Sequence, residues 1–317
     1  MSHSAKGEME LIVTAIGEPA PGIRWLRLSA PDGRELPGFV PGSHIVLECA
    51  DAANAYSLTS DGFAPTAYEI SVLRVEDGSG GSKWVHDTLA TGDRVSVLPP
   101  RSVFAPIAGA RRHLLIAGGI GVTPIVSHLR AARRRGQQVQ VLYRFREGNA
   151  AHVEDVLALA GDCAELYTDR ESFGRGLEAA LTSQPMGTHL YICGPSGLMD
   201  DVLARASELG WPESRLHSER FGGDVLDPGE PFELVLTRSG TTLSVPSGVS
   251  MLEALEAAGI DVPNLCRQGV CGECRVPVSA GRPLHRDLFL SDDEKSFGDA
   301  VMPCVSRANG PCLEVLL

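Results

Sequence analysis

The chain has 317 residues, 40 acidic against 28 basic side chains, and a formal net charge of −12. Nucleic-acid phosphates are bound by clustered Lys and Arg, so this balance argues against a nucleic-acid partner. The hydrophobic fraction of 43% is that of a globular chain, no apolar run reaches the ~18 residues that span a bilayer, and residues 1–10 are polar where a secretory leader would be apolar. A cytoplasmic protein of two or three domains is expected.

Residues 1–106 are rich in short alternating runs punctuated by Gly, Pro and Asp. Strands are predicted at 10–16, 23–28, 45–48, 55–58, 67–75 and 94–98, with a short helix at 85–89. Such a series implies an antiparallel sheet that closes into a β-barrel. Within it stand Asn54-Ala55-Tyr56-Ser57-Leu58 and Ile70-Ser71-Val72. A tyrosine ring beside a hydroxyl suits a planar heterocycle, although Tyr-Ser in a strand is by itself ordinary. The consecutive amides of Gly80, Gly81 and Ser82, leading into a helix, suit a terminal phosphate.

Residues 107–224 change rhythm. Apolar strand-like runs at 113–117, 139–144, 164–167, 189–193 and 215–217 alternate with helical stretches at 124–135, 153–160, 177–181 and 197–209, the pattern of a doubly wound parallel α/β sheet. The basic cluster Arg130 to Arg135 falls on the polar side of the first of these helices and reads as a solvated face. Ala117-Gly118-Gly119-Ile120-Gly121-Val122-Thr123-Pro124 joins a strand to that helix. Its glycines let a backbone approach a pyrophosphate, Thr123 is placed to cap the helix, and Pro124 in the first turn needs no amide partner. Cys193-Gly194-Pro195 repeats the strand–glycine–helix arrangement and should reach the same carboxyl edge. Asp169 favours a free ribose hydroxyl, whereas the neighbouring Arg170 could meet a 2′-phosphate.

Residues 225–231 read as a linker. Beyond it, a hairpin at 232–236 and 242–245, a helix at 251–258 and a closing strand at 313–317 suffice for a small α+β domain of β-grasp type over residues 232–317. This domain carries Cys266, Cys271 and Cys274, spaced C-x₄-C-x₂-C, with Cys304 standing alone further on. That is the plant-type ligand pattern for a [2Fe–2S] cluster. A structural zinc site usually has two similar short hooks, and a disulfide framework suits a short secreted chain.

Together these motifs resemble the phthalate dioxygenase reductase family, within the ferredoxin–NADP⁺ reductase superfamily, over essentially the whole chain. The cluster loop, Gly118 to Pro124, Cys193 to Gly197 and His285-Arg286-Asp287 carry the resemblance most specifically. It implies FMN in the barrel, NADH on the parallel sheet and the cluster beyond them. Tyr56 and Ser57 would contact the isoalloxazine, Ile70, Ser71 and Val72 would line it, Gly80, Gly81 and Ser82 would hold the phosphate, and Phe221 would be the aromatic near the flavin. Gly118, Gly119, Gly121, Thr123, Pro124, Asp169, Cys193, Gly194 and Pro195 would serve NADH.

One departure stands out: the family's usual Arg-x-Tyr-Ser reads Asn54-Ala55-Tyr56-Ser57 here, so the arginine's charge is absent, with Arg74 and Lys83 as candidate substitutes. Hydride transfer needs no acid–base residue, and none of the nine histidines forms a convincing triad. The resemblance implies a monomeric reductase passing single electrons to a Rieske-type non-haem iron oxygenase. A haem monooxygenase as acceptor, or a redox-sensing role, are the alternatives. Residues 232–317 carry eleven acids and seven bases, so an acidic surface around Glu273, Asp292, Asp293 and Glu294 could steer docking or be a solvated face.

Overall fold

The computed structural model describes residues 9–50, 52–76, 80–102, 104–221, 229–264, 269, 272–287 and 289–317. They fall into two compact units, residues 1–100 with 106–223, and residues 101–105 with 224–317. Of the expected linker, 225–228 lie outside the described residues. No helix among the described residues is long and apolar enough to cross a membrane.

The first unit opens with β1 (Met9–Ala20), β2 (Ile23–Ser29), β3 (Ser43–Cys49), β4 (Ala52–Ser57), β5 (Ala67–Leu73), α1 (Gly81–Asp87) and β6 (Arg94–Ser102). The strands form one sheet in the order β4-β3-β6-β1-β2-β5, and an antiparallel bridge from Leu58 to Ile70 joins its two edges into a barrel. Alternation decides what lies inside: Tyr68, Ile70 and Val72 on β5 are buried in the barrel core, which leaves Ser71 on the other face. The short helix starts at Gly81, four residues before the position expected from sequence, because Gly80 is its N-cap and Gly81 to Trp84, which read as loop, form its first turn.

The same unit continues with β7 (Arg112–Gly118), α2 (Val122–Arg135), β8 (Val139–Arg144), α3 (Val153–Ala160), β9 (Ala164–Tyr167), α4 (Arg170–Thr182), β10 (Thr188–Cys193), α5 (Ser196–Glu208) and β11 (Leu216–Glu219). The order β11-β10-β7-β8-β9, parallel throughout, confirms a doubly wound sheet. Its order reverses between β7 and β10, so the turns after those two strands flank the switch point where ligands of such sheets bind.

Two helix starts correct the sequence reading. Gly121, not Thr123, is the N-cap of α2; Thr123 lies inside the first turn and its hydroxyl donates to the Ile120 carbonyl at 3.0 Å. α4 begins at Arg170 rather than 177, because Asp169 caps it by accepting from the Ser172 amide at 2.8 Å, which outweighs the helix-weakening Gly174 and Gly176.

The second unit holds β12 (Phe232–Leu236), β13 (Thr241–Val245), α6 (Met251–Ala257), β14 (Val276–Leu284), α7 (Asp292–Phe297), β15 (Ala300–Val301) and β16 (Arg307–Val315). The sheet order is β13-β12-β16-β14-β15, with the parallel β12–β16 pair between antiparallel ones. Ser250 with Glu253, and Ser291 with Glu294, make capping boxes at α6 and α7. Strand β14 escapes sequence reading because it contains Pro277, Gly281 and Pro283 and is largely exposed. The closing strand begins at Arg307 rather than 313.

Candidate redox sites

At the barrel end, Asn54 on β4 lies over the first turn of α1. A Cβ on Gly81 would collide with the Asn54 carboxamide, so only glycine lets the two approach. Gly80, the N-cap, has φ +95°. Ser82 spends its hydroxyl on the Val75 backbone, accepting from the amide at 3.1 Å, which leaves its own amide at the helix start. Arg74 is held bidentately by Asp87 (2.5 and 3.1 Å) and by Glu76 at 2.6 Å, while Lys83 Nζ donates to the Glu76 carbonyl at 2.9 Å. Both cations therefore brace α1 and the end of β5. Tyr56 packs against the barrel core with its hydroxyl turned inward beside Cys49, and burial pushes its ionisation up. Ser57 is buried on the same strand.

At the switch point the glycines are spent on each other. A Cβ on Gly118 would lie 2.8 Å from Pro195 Cδ, one on Gly194 would lie 2.9 Å from Gly118 Cα, and one on Gly121 would strike the Cys193 carbonyl. Close packing of the two turns, rather than approach to a ligand, is what excludes side chains there. Gly119 alone of the four faces open space, with φ +54°. The Tyr143 hydroxyl is shared between the carbonyls of Gly119 (3.2 Å) and Ala151 (3.0 Å).

The parallel register sets Glu219 directly beside Cys193. Glu219 is buried, its Oε2 has no hydrogen-bond partner among the described residues, and burial raises its carboxyl to about 8. Burial first, and Glu219 second, raise the Cys193 thiol well above its ordinary range, so it stays neutral. Sequence reasoning missed Glu219. The sequence carried no signal for it, since the strand it closes reads Leu216-His217-Ser218-Glu219, and its neighbour becomes visible only through strand pairing. Asp169 is held below the usual carboxylate range chiefly by Ser172. Phe221 is 43% exposed.

In the second unit Cys274 and Cys304 are buried in the apolar core with their sulfurs 3.3 Å apart, well beyond a disulfide bond. Cys304 and neighbouring amides lower Cys274 to about 7, towards the thiolate that binds iron. Cys266 and Cys271 lie outside the described residues. The His285-Arg286-Asp287 segment is scaffolding. Asp287 accepts from Ser306 Oγ (3.1 Å) and from the Leu290 amide (2.9 Å), and a Cβ on Gly269 would meet its Cα at 3.0 Å. Gly272 has φ +80°, and a side chain there would run into the Phe289 ring.

A barrel and a doubly wound sheet in one unit, joined to a β-grasp unit with paired thiols, define a pyridine-nucleotide-dependent flavin reductase with an attached ferredoxin domain. Two family models match, the dimethylamine monooxygenase subunit DmmA-like N-terminal domain over residues 94–216 and the 2Fe-2S iron-sulfur cluster binding domain over 234–309. The chain is 40% identical over 306 residues to the heme-dependent oxidative N-demethylase beta subunit of Ectopseudomonas mendocina, covering 95% of this chain and 96% of that protein. Phthalate dioxygenase reductase matches in structure at a TM-score of 0.64 with 31% identity, over 98% of both chains. A type IV self-sufficient cytochrome P450 monooxygenase matches at 0.69 with 32% identity over 98% of this chain, which spans 41% of that longer one.

The chain belongs to the phthalate dioxygenase reductase family. It is an NADH-dependent iron–sulfur flavoprotein oxidoreductase with FMN and a [2Fe–2S] cluster as carriers, and it serves as the reductase component of an oxygenase system. The described residues fit both groups: Gly80 faces open space at an amide-bearing helix start beside the Asn54 carboxamide, and the Cys274–Cys304 pair supplies soft donors in an apolar core.

Proposed function

We propose that Tyr56 and Ser57 hold the flavin, that Ile70, Ser71 and Val72 supply its strand wall, and that Phe221 stands near it. Its phosphate lies at Gly80, Gly81 and Ser82 under the Asn54 carboxamide. NADH lies across the switch point, with its pyrophosphate over the Gly118–Pro124 turn and at Gly194 and Pro195, its ribose at Asp169 and its nicotinamide at Cys193. Cys266, Cys271, Cys274 and Cys304 hold the cluster. A flavin, when bound, takes electrons as a pair and releases them singly, which is the cofactor's own chemistry. The chain's residues place and shield. Cys193, held neutral, and Glu219, protonated near pH 7, keep the nicotinamide wall uncharged.

The observation that carries this reading is the meeting of the two glycine turns at the switch point in the same unit as the barrel. Purified protein should oxidise NADH with ferricyanide, show flavin absorption and contain iron, and kcat/KM should favour NADH over NADPH. Material that binds flavin but holds zinc, or no metal, refutes the electron outlet.

The acceptor is a Rieske-type non-haem iron oxygenase, with the reductase acting as a monomer in the cytoplasm. A specific observation favours a second reading, a haem oxygenase acting on N-methyl groups: the 40%-identical relative is named as a subunit of a heme-dependent N-demethylase. Reconstitution with purified oxygenase components of each class, read as product formed per NADH, separates the two.

A further inference from the structure

His152 is the N-cap of α3, with φ +58° in the left-handed region. A residue bearing a Cβ is strained there by about 1 kcal/mol or more, and its imidazole accounts for why it stays. Nε2 lies 2.8 Å from Ser71 Oγ on the barrel's β5, and Nδ1 lies 2.8 Å from Asp155 Oδ2 one turn into α3. Asp155 Oδ1 accepts from Arg130 Nη2 at 2.9 Å, and Arg130 Nε donates to the Thr59 carbonyl, back on the barrel, at 2.8 Å. The Thr59 amide in turn donates to Glu69 of β5 at 2.8 Å. The path is a closed circuit: it leaves the barrel at Ser71 and returns at Thr59, two residues beyond Ser57.

A second path leads from the same place to the nucleotide turn. Ala151, immediately before His152, shares the Tyr143 hydroxyl with Gly119. Strand β5 itself lies against the Gly119–Gly121 turn. The strand assigned to the flavin wall and the turn assigned to NADH are thus tied through one imidazole, which is 7% exposed.

We propose that His152 is a positioning residue for hydride transfer, clamping Ser71 so that the flavin-facing strand and the nucleotide turn keep one spacing. This rests on the placement of FMN and NADH argued above. The residues assigned to each ligand belong to different lobes of the first unit. Loosening the clamp therefore leaves NADH affinity intact and spreads the distance over which the hydride must pass, and misplacement of about 1 Å is enough to cost about a hundredfold in rate.

The test uses His152→Gly, which relieves the positive φ while removing the imidazole, and Ser71→Ala, which breaks the same bond from the barrel side. In the full-length holoenzyme, flavin reduction by saturating NADH should slow by about tenfold to a hundredfold. The NADH concentration for half-maximal rate should change less than about twofold, and the double variant should be no slower than the slower single one. Hydrogen exchange of the full chain, read without turnover, should rise at 151–157 in Ser71→Ala and at 67–73 in His152→Gly. Parent-like reduction rates and exchange in both variants overturn the clamp while leaving the cofactor placement standing. So does a fall in rate matched by an equal loss of NADH affinity. A parent that does not oxidise NADH refutes the functional reading, and the clamp with it.

Discussion

Glu219 sits beside Cys193 at the end of β11 with no partner for Oε2 among the described residues, and burial raises its carboxyl from 4.5 to about 8. Between those values the folded chain holds a proton that the unfolded chain has released. Its contribution is therefore fully present below about pH 4.5 and is lost as pH rises through 8. An amide mimics the protonated form. Glu219→Gln should leave the melting temperature near the parent's at pH 5 and raise it by on the order of 5 °C at pH 9; thermal melts at the two pH values check this, and equal shifts at both would contradict it. Asn54 is a residue-scale question of another kind. Its carboxamide covers Gly81 without bringing charge, and Arg74 and Lys83 are committed to acceptors around α1. Restoring a guanidinium with Asn54→Arg should tighten FMN by about tenfold, measured by quenching of flavin fluorescence on titration into flavin-free protein. Unchanged affinity would place the phosphate elsewhere.

At the scale of elements, the two turns of the switch point show how one glycine pattern can answer to packing that the sequence does not display. Their glycines read as a nucleotide motif, but the fold spends three of the four on turn-to-turn packing. Gly121→Ala forces a methyl into the Cys193 carbonyl and should cost about 2 kcal/mol or more, whereas Gly197→Ala, in α5 with open space around it, should be neutral or stabilising by up to about 1 kcal/mol. Urea melts of the two variants compare them directly. The central strands were legible because a parallel strand buried on both faces is a continuous apolar run. Strand β14, with its prolines and exposed face, carried no such signal. The arginines of α2 read as a solvated face because sequence does not show what lies opposite: Arg130 reaches Thr59 and Asp155, and Arg134 pairs with Asp61 under the exposed Phe63 ring. His152 was equally invisible, a polar residue in a connecting segment.

A further group spans β7, β10 and β11. His217 stacks on Tyr191 at 4.5 Å and on His189, whose Nδ1 is 2.9 Å from His217 Nε2, while His113 meets Tyr191 edge-on. Burial lowers His113 and His217 to about 4 and lowers His189 as well. The folded sheet holds these rings neutral while the unfolded chain protonates them below about 6.5, so stability falls as pH drops from 6.5 towards 4. Glu219 works in the opposite direction over much of that window, so the parent's response is blunted. In the Glu219→Gln background the opposition is gone, and the melting temperature should fall by on the order of 5–10 °C between pH 7 and pH 5. A flat profile in that background would mean the cluster takes up protons without cost.

For the whole molecule, the decisive feature is the division of labour between the units. Every residue assigned to FMN or NADH lies in the first unit, while Cys274 and Cys304 lie in the core of the second. Pair-wise electron uptake and single-electron delivery should therefore fail separately. Cys304→Ala removes one soft donor from a buried pair whose sulfurs are 3.3 Å apart, and the neighbouring core of Leu290, Met302 and Val276 can close over a methyl. Bound iron should fall to below about half of the parent value, since the remaining thiolates leave one coordination position open. NADH oxidation with ferricyanide, which flavin can reduce directly, should stay within about twofold, whereas delivery to cytochrome c or to the oxygenase component should drop at least about tenfold. The flavin absorption band, unchanged in the same sample, would show that the first unit is intact. If ferricyanide reduction collapses together with cytochrome c reduction while iron and flavin remain bound, the two tasks are not divided between the units as argued.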